Sequence, residues 1–409
     1  MRVLFLTPQL PYPPHQGTAL RNFGLVRGVA QAGHEVWLLS FAGEGQPLPA
    51  ETPLVYLCAA VHTVPAPPPR SRLARLRDVL LTGEADMARR LRSEAFGAAL
   101  ARLLAREGFD AIHIEGIEMA VYLPIIKRAQ PAAITLYDAH NAEHDLQRRV
   151  FEVDRAQPAR WAGAAYSWLQ WRRLTRFERE VCRAVSAVVA VSEADAAALR
   201  RLAGVPVAIV PNGIDAAKYA QPPVEQVDIG PAALVFSGKM DYRPNVDAAL
   251  WFAERVLPRV RQAIPAARFV AVGQQPHPRL QSLRGAPGVV LTGWVPAVEP
   301  YLHAAAVYVA PLRMGSGTRF KVLQAMAAGC AIVSTALGAE GIDAQPGRDL
   351  LIADTDADFA QAVLDLLREP ERRRALGRAG QDLARSRYDW SAIIPRLLDM
   401  YPALEGAGG

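Results

Sequence analysis

The chain has 409 residues, 51% of them hydrophobic and 21% charged, a balance that excludes disordered and fibrous classes and allows two domains that each bury a core. Its net charge of +6 rests almost wholly on arginine, because lysine occurs only at 127, 218, 239 and 321, and no motif supports nucleic-acid binding. Cys58, Cys182 and Cys330 stand far apart with no CxxC or Cys/His spacing, so neither a disulfide framework nor a zinc site is signalled.

The first residues enter a strand-length run, RVLFLTP, without an apolar leader or a cleavage site, and no apolar run reaches bilayer length. A cytoplasmic protein is expected, with room for peripheral contact at the inner face of the membrane. Val3 to Leu6 predicts a buried strand. A proline-rich loop then reaches Gly17, just before a helix that runs to about Ala32, and EVWLLSF follows as the second strand of a βαβ unit. Gly17 stands where open α/β sheets present ligands, although a glycine there also simply shortens a loop. A strand near Val61 to Val64 comes next. Arg70 to Arg92 interleaves arginine with leucine, the pattern of an amphipathic surface helix, either solvated or touching lipid headgroups.

After a helix to about Glu107, strands are expected at Ala111 to Gly116 and at Ala133 to His140. The second ends in YDAHNAEHD, a dense set of titratable groups at the carboxyl end of a strand, from which His140 stands out as a group for a reaction site. A long helix from about Ala159 to Arg183 carries Trp161, Tyr166, Trp168 and Trp171 beside arginines, which suits core packing or a membrane-interface belt equally. The strand at Ala187 to Ser192 leads into a helix with Ser192 as its N-cap. Val207 to Asp215 reads as a strand closing on a Pro-Asn-Gly turn, and the loose stretch after it marks a domain boundary.

The second half repeats βαβ through ALVFSG, ARFVAVG, VVLTGWV, VYVAPL, AIVST and LLIAD, with a helix from Asn245 to Ala263 after the first of these. Two of the four lysines flank glycine turns at strand ends here: Lys239 after Ser237-Gly238, and Lys321 just beyond Gly315-Ser316-Gly317-Thr318. Glycines let the backbone approach a ligand, and the first amides of the following helix point at it, which favours an anion such as phosphate. On that helix Leu323, Met326 and Ala327 suit the core, while Lys321 and Gln324 share another side. Gly293-Trp294-Val295 ends a strand whose backbone could bond a nucleobase. A charged helical stretch, Asp356 to Arg387, precedes a terminal helix opening at Tyr388-Asp389-Trp390.

With PNGID, SGK and GSGTRFKVLQAMAAGCAIVST in place, the sequence resembles the GT-B glycosyltransferases of the glycogen-synthase-like family 4. FSGKMDYRPNVDAALWF resembles the subgroup associated with bacterial exopolysaccharide assembly. The resemblance implies an α/β chain of two Rossmann-like doubly wound domains facing a cleft. Residues 1–212, with a crossover helix at 388–409, would form the acceptor-side domain, and residues 213–387 the nucleotide-sugar-binding domain. It further implies retaining, metal-independent hexosyl transfer from a nucleoside diphosphate sugar, used as co-substrate without a cofactor, to a glycan or lipid-linked acceptor. His140, Lys239 and Lys321 would act in catalysis. The donor would be held by Gly17, Gly238, Val295, Gly315, Ser316, Gly317, Thr318, Arg319 and Gln324, and Asn141 and Glu143 would lie on the acceptor side.

The family's motif carries two glutamates eight apart, and Ser316 and Gln324 occupy those places here. Glutamine can still bond ribose hydroxyls, having both donor and acceptor, whereas serine cannot reproduce a carboxylate. Two other readings remain: a nucleotide-sugar-binding partner subunit with little turnover, and a sugar-nucleotide epimerase of the same fold. A dehydrogenase is disfavoured because the first loop lacks GxGxxG.

Overall fold

The computed structural model describes residues 1–14, 17–43, 45–71, 75, 77–78, 81–155, 161–274, 277–314 and 319–401, without the side chain of residue 162. The chain divides into two compact units, Met1–Pro211 joined by the segment from Ile393 onward, and Asn212–Ala392.

In the first unit the described residues form a seven-stranded sheet of β1 (Arg2–Thr7), β2 (Glu35–Ala42), β3 (Ala60–Pro65), β4 (Ala111–Glu115), β5 (Ile134–Ala139), β6 (Ala187–Ala190) and β7 (Ala208–Ile209). Their order is β3-β2-β1-β4-β5-β6-β7 and every pairing is parallel. Helical crossovers cover both faces, so strand interiors alternate between two buried surfaces. Leu4, Leu6, Ile112 and Ile114 join one apolar cluster. The other face carries Phe5, His113, Glu115 and Asp138, in register as Phe5 opposite His113 and Glu115 opposite Asp138. Buried parallel strands are normally continuous apolar runs, so polar side chains in the middle of this sheet call for a reason.

The second unit holds a six-stranded parallel sheet of β8 (Ala233–Ser237), β9 (Arg268–Val272), β10 (Val289–Leu291), β11 (Val307–Ala310), β12 (Ile332–Ser334) and β13 (Leu351–Ile352), ordered β10-β9-β8-β11-β12-β13. Its central strand β8 serves two cores: Leu234 and Phe236 pack into one, Ala233 and Val235 into the other. Leu323, Met326 and Ala327 are buried on the helix Phe320–Ala327, as their spacing predicts.

Several elements differ from the sequence reading. The helix Glu143–Arg155, which the polar segment after His140 did not announce, forms because Glu178 of the helix Trp161–Ala184 caps its first turn. One Glu178 oxygen accepts from the Glu143 amide at 3.1 Å, and the other accepts from the His144 amide at 3.0 Å. The strand expected at Val207 to Asp215 shrinks to β7, since Pro211 cannot donate to a ladder. Between Arg70 and Arg92 the described helix is confined to Asp86–Arg90, apart from isolated residues at 75, 77–78 and 81; there Arg70 pairs with Asp78 and Asp86, Arg89 with Asp78 and Glu84, and Arg90 reaches Glu118 outside the segment. Tyr388, Asp389 and Trp390 belong to the second unit, where the Ala216 amide donates to Asp389 Oδ2 at 2.9 Å; the segment grouped with the first unit begins at Ile393. Among the described residues no helix is long and apolar enough to cross a membrane.

Candidate functional site

In an open parallel sheet, ligands collect outside the carboxyl ends of strands at the point where strand order reverses. In the first unit that point lies between β1 and β4, and in the second between β8 and β11.

The first unit concentrates buried charge there. Arg21, on the helix Gly17–Gln31, is 1% exposed and grips Asp138 at the end of β5 with two bonds, Nε to Oδ2 at 2.9 Å and Nη2 to Oδ1 at 2.8 Å. Its Nη1 also donates to the Pro211 carbonyl at 3.1 Å. His140, just past β5, places Nε2 at 3.3 Å from Glu115 Oε2, and Glu115 is fully buried. Burial works against the Glu115 carboxylate, but the adjacent His113 and the His140 hydrogen bond outweigh it and hold the carboxyl below the ordinary carboxylate range. The same balance acts on His140, where burial lowers the pKa but Glu115 and Asp138 raise it above the ordinary value. Glu115, Asp138 and His140 have ligand atoms within 4.8 Å of one another. Asp138 gives both oxygens to Arg21 and Glu115 gives one to His140, so the trio is tied into an ion-pair network.

Asn141 Nδ2 donates to Glu143 Oε1 at 2.9 Å. Burial, followed by repulsion from Glu118 and Glu178, pushes the Glu143 carboxyl up to about 7, against the Asn141 bond and the nearby His140. The sequence-predicted trio His140, Asn141 and Glu143 is thus brought together at one strand end. His144 from the same segment turns away to Glu178, Nδ1 to Oε2 at 2.6 Å. Gly17 opens its helix and is exposed.

The second unit assembles a different cluster. Lys321, partly buried in the first turn of its helix, donates through Nζ to Asn245 Oδ1 at 2.6 Å and lies 4.6 Å from the centre of the Phe236 ring. The other end of the Asn245 amide donates to the Lys239 carbonyl at 2.8 Å. A single side chain thereby ties the loop after β8 to the helix after β11. Gly238, at φ +148°, fits between them: a Cβ there would lie 2.6 Å from Lys321 Nζ and 2.7 Å from Asn245 Nδ2. Among the described residues Lys321 has no carboxylate partner. Burial, and secondarily repulsion from Arg319, bring its pKa down to about 7. Arg319 is 8% exposed, with Nη2 3.9 Å from Glu340 Oε2. Lys239 is exposed.

Gln324 donates from Nε2 to the Tyr219 hydroxyl at 2.8 Å. Val295 is partly buried beside the core that holds Tyr219. Gly315, Ser316, Gly317 and Thr318, the expected phosphate loop, lie outside the described residues. Sequence reasoning missed Arg21, Glu115, His113 and Asn245. The alternation in AIHIEG is the signal that could have exposed two of them, since a central strand has no need of polar residues on one face.

Comparison with known proteins places this architecture. Residues 231–369 match the glycosyl transferases group 1 model and residues 16–218 the Glycosyltransferase Family 4 model. The chain belongs to the family 4 glycosyltransferases. This family member is 29% identical over 210 residues to phosphatidyl-myo-inositol mannosyltransferase of Mycolicibacterium smegmatis, covering 49% of the chain and 52% of that protein. It therefore spans about half the length of the curated mannosyltransferases it matches. It is also 26% identical over 291 residues to alpha-maltose-1-phosphate synthase of the same organism, covering 64% and 73% of the two chains. Among solved structures, sucrose-phosphate synthase from Thermosynechococcus elongatus aligns over 100% of both chains with a TM-score of 0.71 at 18% identity. An Anabaena protein crystallised with UDP aligns over 98% of this chain and 100% of its own, with a TM-score of 0.66 at 14% identity. At these identities the structural likeness establishes the fold, which is GT-B.

Proposed function

We propose that the protein is a retaining, metal-independent glycosyltransferase that moves a sugar from a nucleoside diphosphate donor to a glycan or lipid-linked acceptor in bacterial exopolysaccharide assembly. The observation that carries this reading is Lys321. A lysine held in a partly buried position at the switch point of a parallel sheet, with an amide and an aromatic ring as its partners, is short of one negative charge. The diphosphate of a sugar nucleotide supplies it.

In the reaction, negative charge grows on the departing diphosphate as the bond to the sugar breaks. Lys321, Arg319 and Lys239 then stabilise the transition state more than the ground state, a role a divalent ion fills in other sites. The acceptor's hydroxyl oxygen bonds the anomeric carbon on the face the diphosphate leaves, which retains configuration, and the departing diphosphate, gaining basicity, takes the hydroxyl proton. His140 contacts the donor sugar, and Asn141 and Glu143 receive the acceptor. UDP bound to the Anabaena protein and the mannosyl transfer named for the curated relatives support a nucleotide-sugar donor.

A donor panel, read first by thermal shift and then by transfer to lipid-linked acceptors, tests the reading. Stabilisation by one nucleoside diphosphate sugar and acceptor-dependent release of the diphosphate are expected. Donor binding without turnover across the panel indicates the partner-subunit alternative, and product from donor alone the epimerase.

A further inference from the structure

On β4 the residues Ile112, His113, Ile114 and Glu115 alternate, and the two polar ones face away from the apolar cluster with no exposure at all. Two titratable side chains in a central strand carry a desolvation cost that packing alone does not explain. Their contacts run in one line. The Tyr401 hydroxyl, on the C-terminal segment grouped with this unit, is 2.6 Å from His113 Nε2. His113 Nδ1 is 3.5 Å from Glu115 Oε1, and Glu115 Oε2 is 3.3 Å from His140 Nε2. Phe5 stacks on the His113 ring at 4.3 Å and fixes its plane.

We propose that Glu115 is the positioning residue of His140, held in turn by His113 and by Tyr401 from the far end of the chain. The inference rests on the reading of His140 as the group that meets the donor sugar. Which role one imidazole nitrogen plays is set by the bond the other makes. With Nε2 committed to Glu115, Nδ1 is the atom left to act; it has no protein partner among the described residues, and the side chain keeps 16% exposure. Gly116, at φ +84°, leaves the space beside it open, because a Cβ there would come 3.8 Å from Nδ1. The outward nitrogen donates a hydrogen bond while the ring is protonated and accepts one once the proton is lost. Glu115 therefore sets both the direction of the ring and the pH at which its outward atom changes role. The charged and titratable groups surrounding His140 are Glu115 and His113 on β4, Asp138 on β5, Arg21, Glu118 and Glu143. Of these, Glu115 alone bonds the ring.

The test titrates the histidine ring signals of isotope-labelled full-length protein by NMR, assigned through His140→Gln and His113→Gln. In Glu115→Gln the hydrogen bond survives without the charge, and the His140 pKa is expected to fall to or below the ordinary value of about 6.5. In the transfer assay the midpoint of the kcat–pH profile moves with it, while donor KM stays within about twofold. Tyr401→Phe keeps the aromatic packing and removes the hydroxyl; a shifted His113 signal and a smaller fall in the His140 pKa are expected. This second variant carries the test if Glu115→Gln does not fold. An unchanged His140 pKa in the folded variants overturns the proposal, even if activity drops. A lowered pKa in a protein that shows no transfer at all supports the positioning and refutes only the glycosyl-transfer reading.

Discussion

At the end of the first sheet Arg21 faces Asp138, His140 faces Glu115 and His144 faces Glu178, so each buried acid has its partner within 3.3 Å. At the end of the second, Lys321 has a neutral amide and a ring, and its nearest like-charged influence is Arg319. Both clusters carry a desolvation cost. In the first unit it is offset internally for these three acids, which produces a network whose groups point in fixed directions, while Glu143 beside them has only the Asn141 amide and its carboxyl rises to about 7. In the second it is left standing, and shows as a lysine whose pKa has dropped to about 7. An internally neutralised cluster is suited to orienting chemistry, and an under-neutralised one to capturing an anion.

The largest way to break this contrast is Arg21→Ala. It strands the Asp138 carboxylate in a site with 2% exposure, and the expected cost is about 3–5 kcal/mol of folding stability. A urea titration reads it as a lower midpoint with unchanged slope; a loss under about 1 kcal/mol would mean that the pair is not structural. Lys321→Ala is expected to do the reverse. It removes a cation that no described carboxylate neutralises, so stability changes by less than about 1 kcal/mol, whereas nucleoside diphosphate affinity falls by about 1–3 kcal/mol. Lys239→Ala sharpens the comparison, because its exposed ammonium is solvated before binding and the expected loss is smaller, about 0.5–1 kcal/mol. Equal losses from the two lysines, measured by calorimetry, would remove the distinction.

The sequence displays the fold better than it displays the network. Alternating apolar strand and amphipathic helix signals are local, and each of the thirteen described strands overlaps a segment that composition and spacing mark as a strand. Lys239 and Lys321 are legible because lysine is scarce in this chain and both stand at glycine turns. Asn245 was not legible. It sits in a helix start that reads as ordinary, and its role comes from two bonds to segments 6 and 76 residues away. Arg21 likewise looks like one of many arginines until the sheet order brings β1 and β5 to either side of β4, and it stands 117 positions before Asp138 in the chain. Helix Glu143–Arg155 was hidden for a similar reason, since its capping group, Glu178, comes from the next helix instead of from its own first turn.

The smallest effect, and the one that probes the second cluster without deleting anything, is pH. The free Lys321 amine titrates near 7, below its ordinary value, because burial and Arg319 disfavour its charge. A bound diphosphate favours the ammonium form and raises that pKa, so the complex holds more protons than the free protein above pH 7. The sign follows: affinity is fully present below about pH 7 and falls as the pH rises beyond it, by about fivefold from pH 7 to 8 if one proton is linked. Lys321→Arg keeps the charge throughout this range, since arginine does not lose its proton there, and its affinity should stay level from pH 7 to 8.5. Calorimetry with the nucleoside diphosphate released in the transfer assay, run in buffers of different ionisation heat, also counts the proton taken up. Wild-type affinity that is level over the same range, with no proton uptake, would show that Lys321 is already charged before the anion arrives and that the second cluster is neutralised as fully as the first.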